Sequence, residues 1–99
     1  MPTVNKYNSH VFYLYVARHS NRDQIIAALK ERDIYLNISY PWPIHLMRGY
    51  AHLGGKVGDL PETEKAAKEI FSLPMFPTLS EQKQDLVCDA IKDIPEIII

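Results

Sequence analysis

The chain has 99 residues, a length that fits a single domain with a small core. Its 11 basic and 12 acidic residues are mixed along the sequence and give a formal net charge of −1, so no nucleic-acid partner is expected. Apolar residues make up 46% of the chain, but no stretch is long enough for a membrane span, and no membrane partner is expected. The single cysteine and the absence of an apolar signal core near the N-terminus lead us to expect a cytoplasmic protein.

The first half of the chain predicts a strand, a helix and a second strand. Residues 10–17 are rich in aromatic and β-branched side chains and apolar on both faces, which is typical of a strand covered on both sides. A helix is expected from the cap Ser20 to about Arg32. Residues 34–40 then alternate as in a half-buried strand. The face of this second strand that would line a cleft holds Tyr35, Asn37 and Ser39.

The second half predicts helices separated by proline-bounded segments. A short helix is expected over residues 45–53, and a longer one from the cap Asp59 to about Phe71. Residues 73–77 predict an extended piece, and Ser80 caps a last helix. This order of elements predicts an α+β fold, a two-layer sandwich in which a small, mostly antiparallel sheet carries helices on one face.

This predicted arrangement leaves some apolar residues exposed to solvent. The second face of the first predicted strand carries Val11, Tyr13 and Tyr15, and residues 97–99 form an apolar tail. Monomeric proteins seldom expose a large apolar patch. We therefore expect a homo-oligomer that pairs through these residues.

The sharpest local feature is the segment Tyr-Pro-Trp-Pro-Ile-His at residues 40–45, followed by Arg48 and Tyr50. Two prolines pre-set its backbone, so its aromatic and imidazole groups can be presented to a ligand at low entropic cost. The alternative interpretation is a proline-rich crossover whose aromatic rings only pack. The residues alone leave both interpretations open.

Other polar residues give no catalytic or metal-binding pattern. His45 and His52 would lie about 10 Å apart on a helix, too far to bind one metal ion, so no metal site is expected. Cys88 has Asp85 and Asp89 beside it, and acidic neighbours disfavour a thiolate. We therefore expect Cys88 at a core or boundary position, with slow reaction toward thiol reagents, and not as a nucleophile.

Short motifs follow one another in an order that resembles a known family. They are His10-Val11-Phe12, Arg22-Asp23, Tyr40-Pro41-x-Pro43-x-His45, Gly49-Tyr50, Leu53-Gly54, Gly58-Asp59-Leu60-Pro61-x-x-Glu64 and Ser72-Leu73-Pro74-Met75. Together they span about residues 9–94. This pattern resembles the C-terminal small domain of the DegT/StrS family of PLP-dependent nucleotide-sugar aminotransferases, and residues 1–99 would form that one domain.

The resemblance implies a fold-type I aminotransferase, a homodimer with its active site between a large PLP-binding domain and this small one. Such enzymes transfer an amino group to a keto-sugar carried on a nucleoside diphosphate. The small domain covers the cleft. By motif match the substrate-cleft candidates are Tyr40, His45 and Tyr50, with His10 ranked below them.

In this family the lysine that forms a Schiff base with PLP belongs to the large domain. The resemblance places none of the seven lysines of this chain in that setting, so we expect no cofactor site here and no activity from these residues alone. Two functions therefore remain open. One is a cleft-covering domain that works only with a large domain, and the other is a truncated, free-standing module that self-associates or binds a partner.

Overall fold

The computed structural model describes residues 3–95, so the apolar tail at residues 97–99 lies outside the described residues. In chain order the elements are β1 (Val16–Arg18), α1 (Arg22–Lys30), the 3₁₀ helices η1 (Ile44–Leu46) and η2 (Arg48–Leu53), α2 (Pro61–Glu69), β2 (Ile70–Ser72) and α3 (Glu81–Lys92). The predicted α+β fold class is confirmed. Within residues 3–95, none of these helices is both long and apolar enough to cross a membrane.

The sheet is antiparallel, as predicted, but much smaller than expected. β1 pairs with β2, with Val16 opposite Ser72 and Arg18 opposite Ile70. Asn37 adds one isolated bridge to Ser72. The second predicted strand, residues 34–40, is therefore reduced to a single bridge. One reason is that β2 ends at Ser72, two residues before Pro74, which has no amide hydrogen to extend a ladder.

The first predicted strand, residues 10–17, is also wrong over most of its length. Phe12 has a φ of 51°, a left-handed conformation that an L-residue in a strand does not adopt. The amide of Phe12 donates a 2.8 Å hydrogen bond to Nδ1 of His10, two residues earlier. That amide is therefore not used to pair with another strand. Strand geometry begins only at Val16.

The helix boundaries correct three further predictions. α1 follows Asn21 rather than the expected cap Ser20, and Asn21 makes no side-chain cap bond. α2 begins at Pro61, and the carboxylate of Asp59 accepts from the amide of Lys56 instead of capping the helix. α2 stops at Glu69, so the extended segment starts at residue 70 and not at residue 73. The predicted cap of α3 is confirmed, because Ser80 Oγ accepts from the amide of Lys83 at 3.3 Å.

The core lies where α1, β2 and α3 meet. Its buried side chains come from those three elements and the segments that follow α1 and α3. They are Ile25, Leu29, Ile34, Phe71, Val87, Ala90 and Ile94.

The prediction for Cys88 is wrong. A core or boundary position was expected, but Cys88 is exposed, as is Leu86 two residues before it. Burial therefore gives Cys88 no protection from thiol reagents, and its slow reaction stays a prediction that rests on Asp85 and Asp89.

Candidate functional site

His45 and Glu64 form the best-defined polar contact of the predicted cleft segment. His45 lies in η1 and Glu64 in the first turn of α2. Nε2 of His45 donates a hydrogen bond to Oε1 of Glu64 at 2.9 Å, and each side chain is 13% exposed. A carboxylate can only accept, so Nε2 is the ring nitrogen that carries the hydrogen.

The carboxylate of Glu64 also binds the turn that precedes α2. The amide of Gly58 donates to both carboxylate oxygens, at 2.8 and 3.0 Å, and the amide of Leu60 donates to Oε1 at 3.4 Å. The hydrogen bond from His45 is the largest of the effects that lower the pKa of Glu64 below its ordinary value of 4.5. Desolvation opposes that effect, and the amides of Gly58 and Leu60 reinforce it.

The main chain of His45 is held as closely as its side chain. A Cβ atom on Gly55 would lie 2.3 Å from the carbonyl oxygen of His45, so only glycine fits against this carbonyl. Gly58 has a φ of 96°, which again favours glycine. We call these contacts among His45, Gly55, Gly58, Leu60 and Glu64 the clasp.

The second ring nitrogen of His45 also faces the protein. Nδ1 is buried and has no hydrogen-bond partner in the part of the chain that the structure describes. Both ring nitrogens are therefore turned away from solvent, one toward Glu64 and one into the interior. The role of His45 at the substrate cleft stays a prediction.

The aromatic residues of the same segment have the opposite orientation. Tyr40 is 66% exposed and Trp42 is 69% exposed, whereas Pro41 and Pro43 are partly buried. Tyr50, in η2, is 46% exposed. We call Tyr40, Trp42 and Tyr50 the aromatic surface.

The predicted site residues are thus divided among three places. His45 belongs to the clasp, and Tyr40 and Tyr50 belong to the aromatic surface. His10 lies in the N-terminal segment, where its ring packs against Phe12 with the centroids 4.5 Å apart.

The sequence reasoning missed the role of Glu64. The usable signal is its place in the motif from Gly58 to Glu64, because a glutamate in the first turn of a helix can reach back to the amides before it. Within residues 3–95, no group of three or more His, Cys, Asp or Glu side chains could hold a metal ion.

PLP, which the resemblance implies for the family, does not fit the lysines of this chain. All seven lysines are exposed. Two surface hollows, one between the end of α1 and α3 and one along residues 3–10, are lined without any lysine. A lysine that forms a Schiff base with PLP needs an enclosed site that also holds the cofactor, and neither hollow contains a lysine.

Comparison with known proteins gives a consistent answer. Residues 1–92 match the profile of the DegT/DnrJ/EryC1/StrS aminotransferase family. A dTDP-3-amino-3,4,6-trideoxy-alpha-D-glucose transaminase from Micromonospora megalomicea subsp. nigra is 55% identical over 95 residues, which are 95% of this chain and 25% of that protein. A pleiotropic regulatory protein from Geobacillus stearothermophilus is 50% identical over 84 residues, 85% of this chain and 23% of that protein.

Solved structures agree with these relatives. The crystal structure of DesV from S. venezuelae, in complex with a ketimine intermediate, matches 99% of this chain with a TM-score of 0.90 and 31% identity. A family aminotransferase from Brucella abortus matches 92% with a TM-score of 0.82 and 35% identity. The matched parts are 26% and 24% of those chains, so this chain spans about a quarter of the length of its relatives. On this sequence profile, these relatives and this shared fold, the chain belongs to the DegT/DnrJ/EryC1/StrS aminotransferase family.

Proposed function

We propose that this chain is the C-terminal part of a nucleotide-sugar aminotransferase that covers the substrate cleft, and that it does not catalyse amino transfer alone. The observation that carries the proposal is the 55% identity over 95% of the chain to a transaminase named for a dTDP-linked amino sugar. At that identity we infer a related substrate, a keto-sugar linked to a nucleoside diphosphate. Residues 1–99 act as one domain.

The aromatic surface supports a role in sugar binding. Exposed rings on a segment stiffened by two prolines lose little conformational freedom when they meet a ligand. The Tyr40 and Tyr50 hydroxyls can exchange hydrogen bonds with sugar hydroxyls, and the rings can cover the apolar edge of a sugar. His10 is a weaker candidate, because its Nδ1 accepts from the amide of Phe12 and leaves only Nε2 to meet a ligand.

Amino transfer in this family depends on PLP, which supplies the electron sink of the reaction when it is bound. The exposed lysines of this chain do not fit that cofactor. We therefore assign PLP, and the dimer that holds it, to the remaining three quarters of the enzyme. This chain contributes substrate binding and exclusion of water.

The alternative function is a non-enzymatic module that self-associates or binds a partner. The observation that favours it is the exposure of Val11 and Tyr13 in the N-terminal segment. Apolar side chains in such a position suit an interface. Both functions suit a reducing compartment, where the single cysteine would stay reduced, and we infer the cytoplasm.

A hybrid enzyme tests the proposal. Residues 1–92 of this chain would replace the matching quarter of the Micromonospora transaminase, and amino transfer to its dTDP-linked keto-sugar would be measured. We expect the hybrid to turn over, and the 99-residue chain alone to give no turnover in the same assay. A folded hybrid that holds PLP but neither binds nor converts the sugar would contradict the proposal and favour the module.

A further inference from the structure

We propose that Glu64 is a positioning residue, which fixes the direction of residues 40–45 through its hydrogen bond to His45. His45 then serves the cleft by being held and not by touching the substrate. The effect on substrate binding rests on the proposed function, whereas the mechanical part concerns this chain alone.

Glu64 is itself held from two sides. Its backbone belongs to α2, and its carboxylate accepts from the amides of Gly58 and Leu60 in the turn before that helix. Charge-assisted bonds of this kind are stronger than those between neutral groups. The oxygen that meets His45 therefore has a fixed position.

His45 is the last residue of segment 40–45, and it contacts the fixed carboxylate oxygen of Glu64. Its Nε2 is bonded to Glu64, its Nδ1 is buried, and its carbonyl lies against Gly55. No ring nitrogen is left to bind a substrate on the open side. This geometry suits a His45 that anchors residues 40–45 and does not bind the substrate.

The segment that joins Tyr40 and Trp42 to His45 is stiff enough to transmit this anchoring. Pro43 has φ −59° and ψ 132°, the polyproline conformation, and each residue that precedes a proline is restricted to extended conformations. Trp42 lies three positions before His45, which is roughly 8 Å, since η1 begins at Ile44 and rises by only about 2 Å per residue. A tilt of about 10° at His45 would move Trp42 by about 1.4 Å, enough to disturb a bound ligand.

The full 99-residue chain tests the mechanical part by NMR. The ¹⁵N shifts of the His45 ring report which nitrogen carries the hydrogen, and hydrogen exchange reports how firmly residues 44–47 are held. We expect Glu64→Ala to lose the Nε2–H signature and the exchange protection while the core amides stay protected. Glu62→Ala is the matched control, because Glu62 is an acidic residue of the same helical turn and makes none of these bonds.

A second pair of variants keeps the test decisive if Glu64→Ala does not fold. Gln at position 45 can still donate to Glu64 from about the place of Nε2, so His45→Gln should keep the protection that His45→Ala loses. If Glu64→Ala folds and keeps both signals, or if His45→Gln and His45→Ala lose protection equally, the proposal is overturned.

The hybrid enzyme tests the effect on substrate. We expect Glu64→Ala and His45→Ala to raise KM for the nucleotide-sugar about ten-fold with kcat within about two-fold, and His45→Gln to restore KM. If His45→Gln and His45→Ala raised KM equally, the imidazole itself would touch the substrate, against the proposal. An unsubstituted hybrid without activity would count against the proposed function, and the NMR result would still decide the role of Glu64.

Discussion

The guanidinium of Arg22 donates a 2.7 Å hydrogen bond to the main-chain carbonyl of Ala67, with a longer contact of 3.5 Å to that of Ile70. Arg22 begins α1, and Ala67 lies in the last turn of α2. Carbonyls at a helix end have no partner within their own helix. One side chain at the start of α1 therefore caps a carbonyl in the last turn of α2 and links the two helices.

We expect Arg22→Lys to lower the free energy of unfolding by about 1–2 kcal/mol, because a lysine has one nitrogen and cannot replace both the Nε bond to Asp23 and the Nη1 bond to the Ala67 carbonyl. Urea unfolding of the full chain measures this. Arg48→Lys, at an exposed position in η2, is the control and should change the value by no more than about 0.5 kcal/mol. Equal changes in the two variants would show that the Arg22 contact adds nothing.

Gly55→Ala should destabilise the fold by about 1–3 kcal/mol, because its Cβ would meet the carbonyl oxygen of His45 at 2.3 Å and two backbones would have to separate. Gly49→Ala is the matched control, since a Cβ there meets nothing within 4 Å. The control should be neutral or slightly stabilising, because alanine has fewer conformations in the unfolded chain. Thermal melts of the two variants side by side give the comparison. Similar melting temperatures would contradict the close approach.

Stability should fall in acid because of Glu64. Its pKa is lowered in the folded protein, first by the hydrogen bond from His45, so the unfolded chain binds its proton more readily. The stabilisation is complete above the ordinary pKa of 4.5 and is lost as the pH falls from there through the lowered native pKa. Urea unfolding at several pH values should show a flatter acid limb for Glu64→Gln than for the wild type. Glu62→Gln should keep the wild-type slope, and a wild-type slope in Glu64→Gln would refute the assignment.

Self-association of the isolated chain stays a prediction. Val11 is 91% exposed and Tyr13 is 81% exposed. Burying such apolar area stabilises an interface by about 25 cal/mol per Å², although much of this is offset by lost motional freedom. Light scattering should show a mass that rises between micromolar and millimolar concentration, and Tyr13→Ser should reduce the rise. Val57→Ser changes an equally exposed apolar residue elsewhere and should not, and a constant mass of one chain would end the idea.

The sequence predicts the parts of this fold that depend on local pattern. Ser80 caps α3 as expected, since a serine before an amphipathic run acts within four residues. Strand extent depends on distant partners, so residues 34–40 look like a strand yet bridge only at Asn37. The conformation of Phe12, which stops the first strand, has no signal in a sequence of aromatic and β-branched residues.

The candidate site divides in the same way, into features that follow from local sequence pattern and contacts that depend on distant residues. Tyr40 and Tyr50 were predicted from motif and composition; both are exposed, and their place at a cleft stays a prediction. The partner of His45 was not predicted, because Glu64 lies 19 residues further along and meets it only once the turn at Gly58 is formed. The core or boundary position predicted for Cys88 was wrong because half a helical turn, about two residues, separates the solvent side of a helix from its core side, and sequence spacing fixes that angle poorly.

Ser72 stands where three segments of the chain meet. It lies opposite Val16 in the sheet, and its amide donates a 2.7 Å hydrogen bond to the carbonyl of Asn37 on the other side. The amide proton of Ser72 therefore depends on the single bridge to Asn37 and not on β1, so it should exchange when residues 34–40 loosen, before the whole domain opens. The exchange rate of that one proton then becomes a gauge of how often residues 34–40 leave the sheet, and it can be followed in the native state without denaturant.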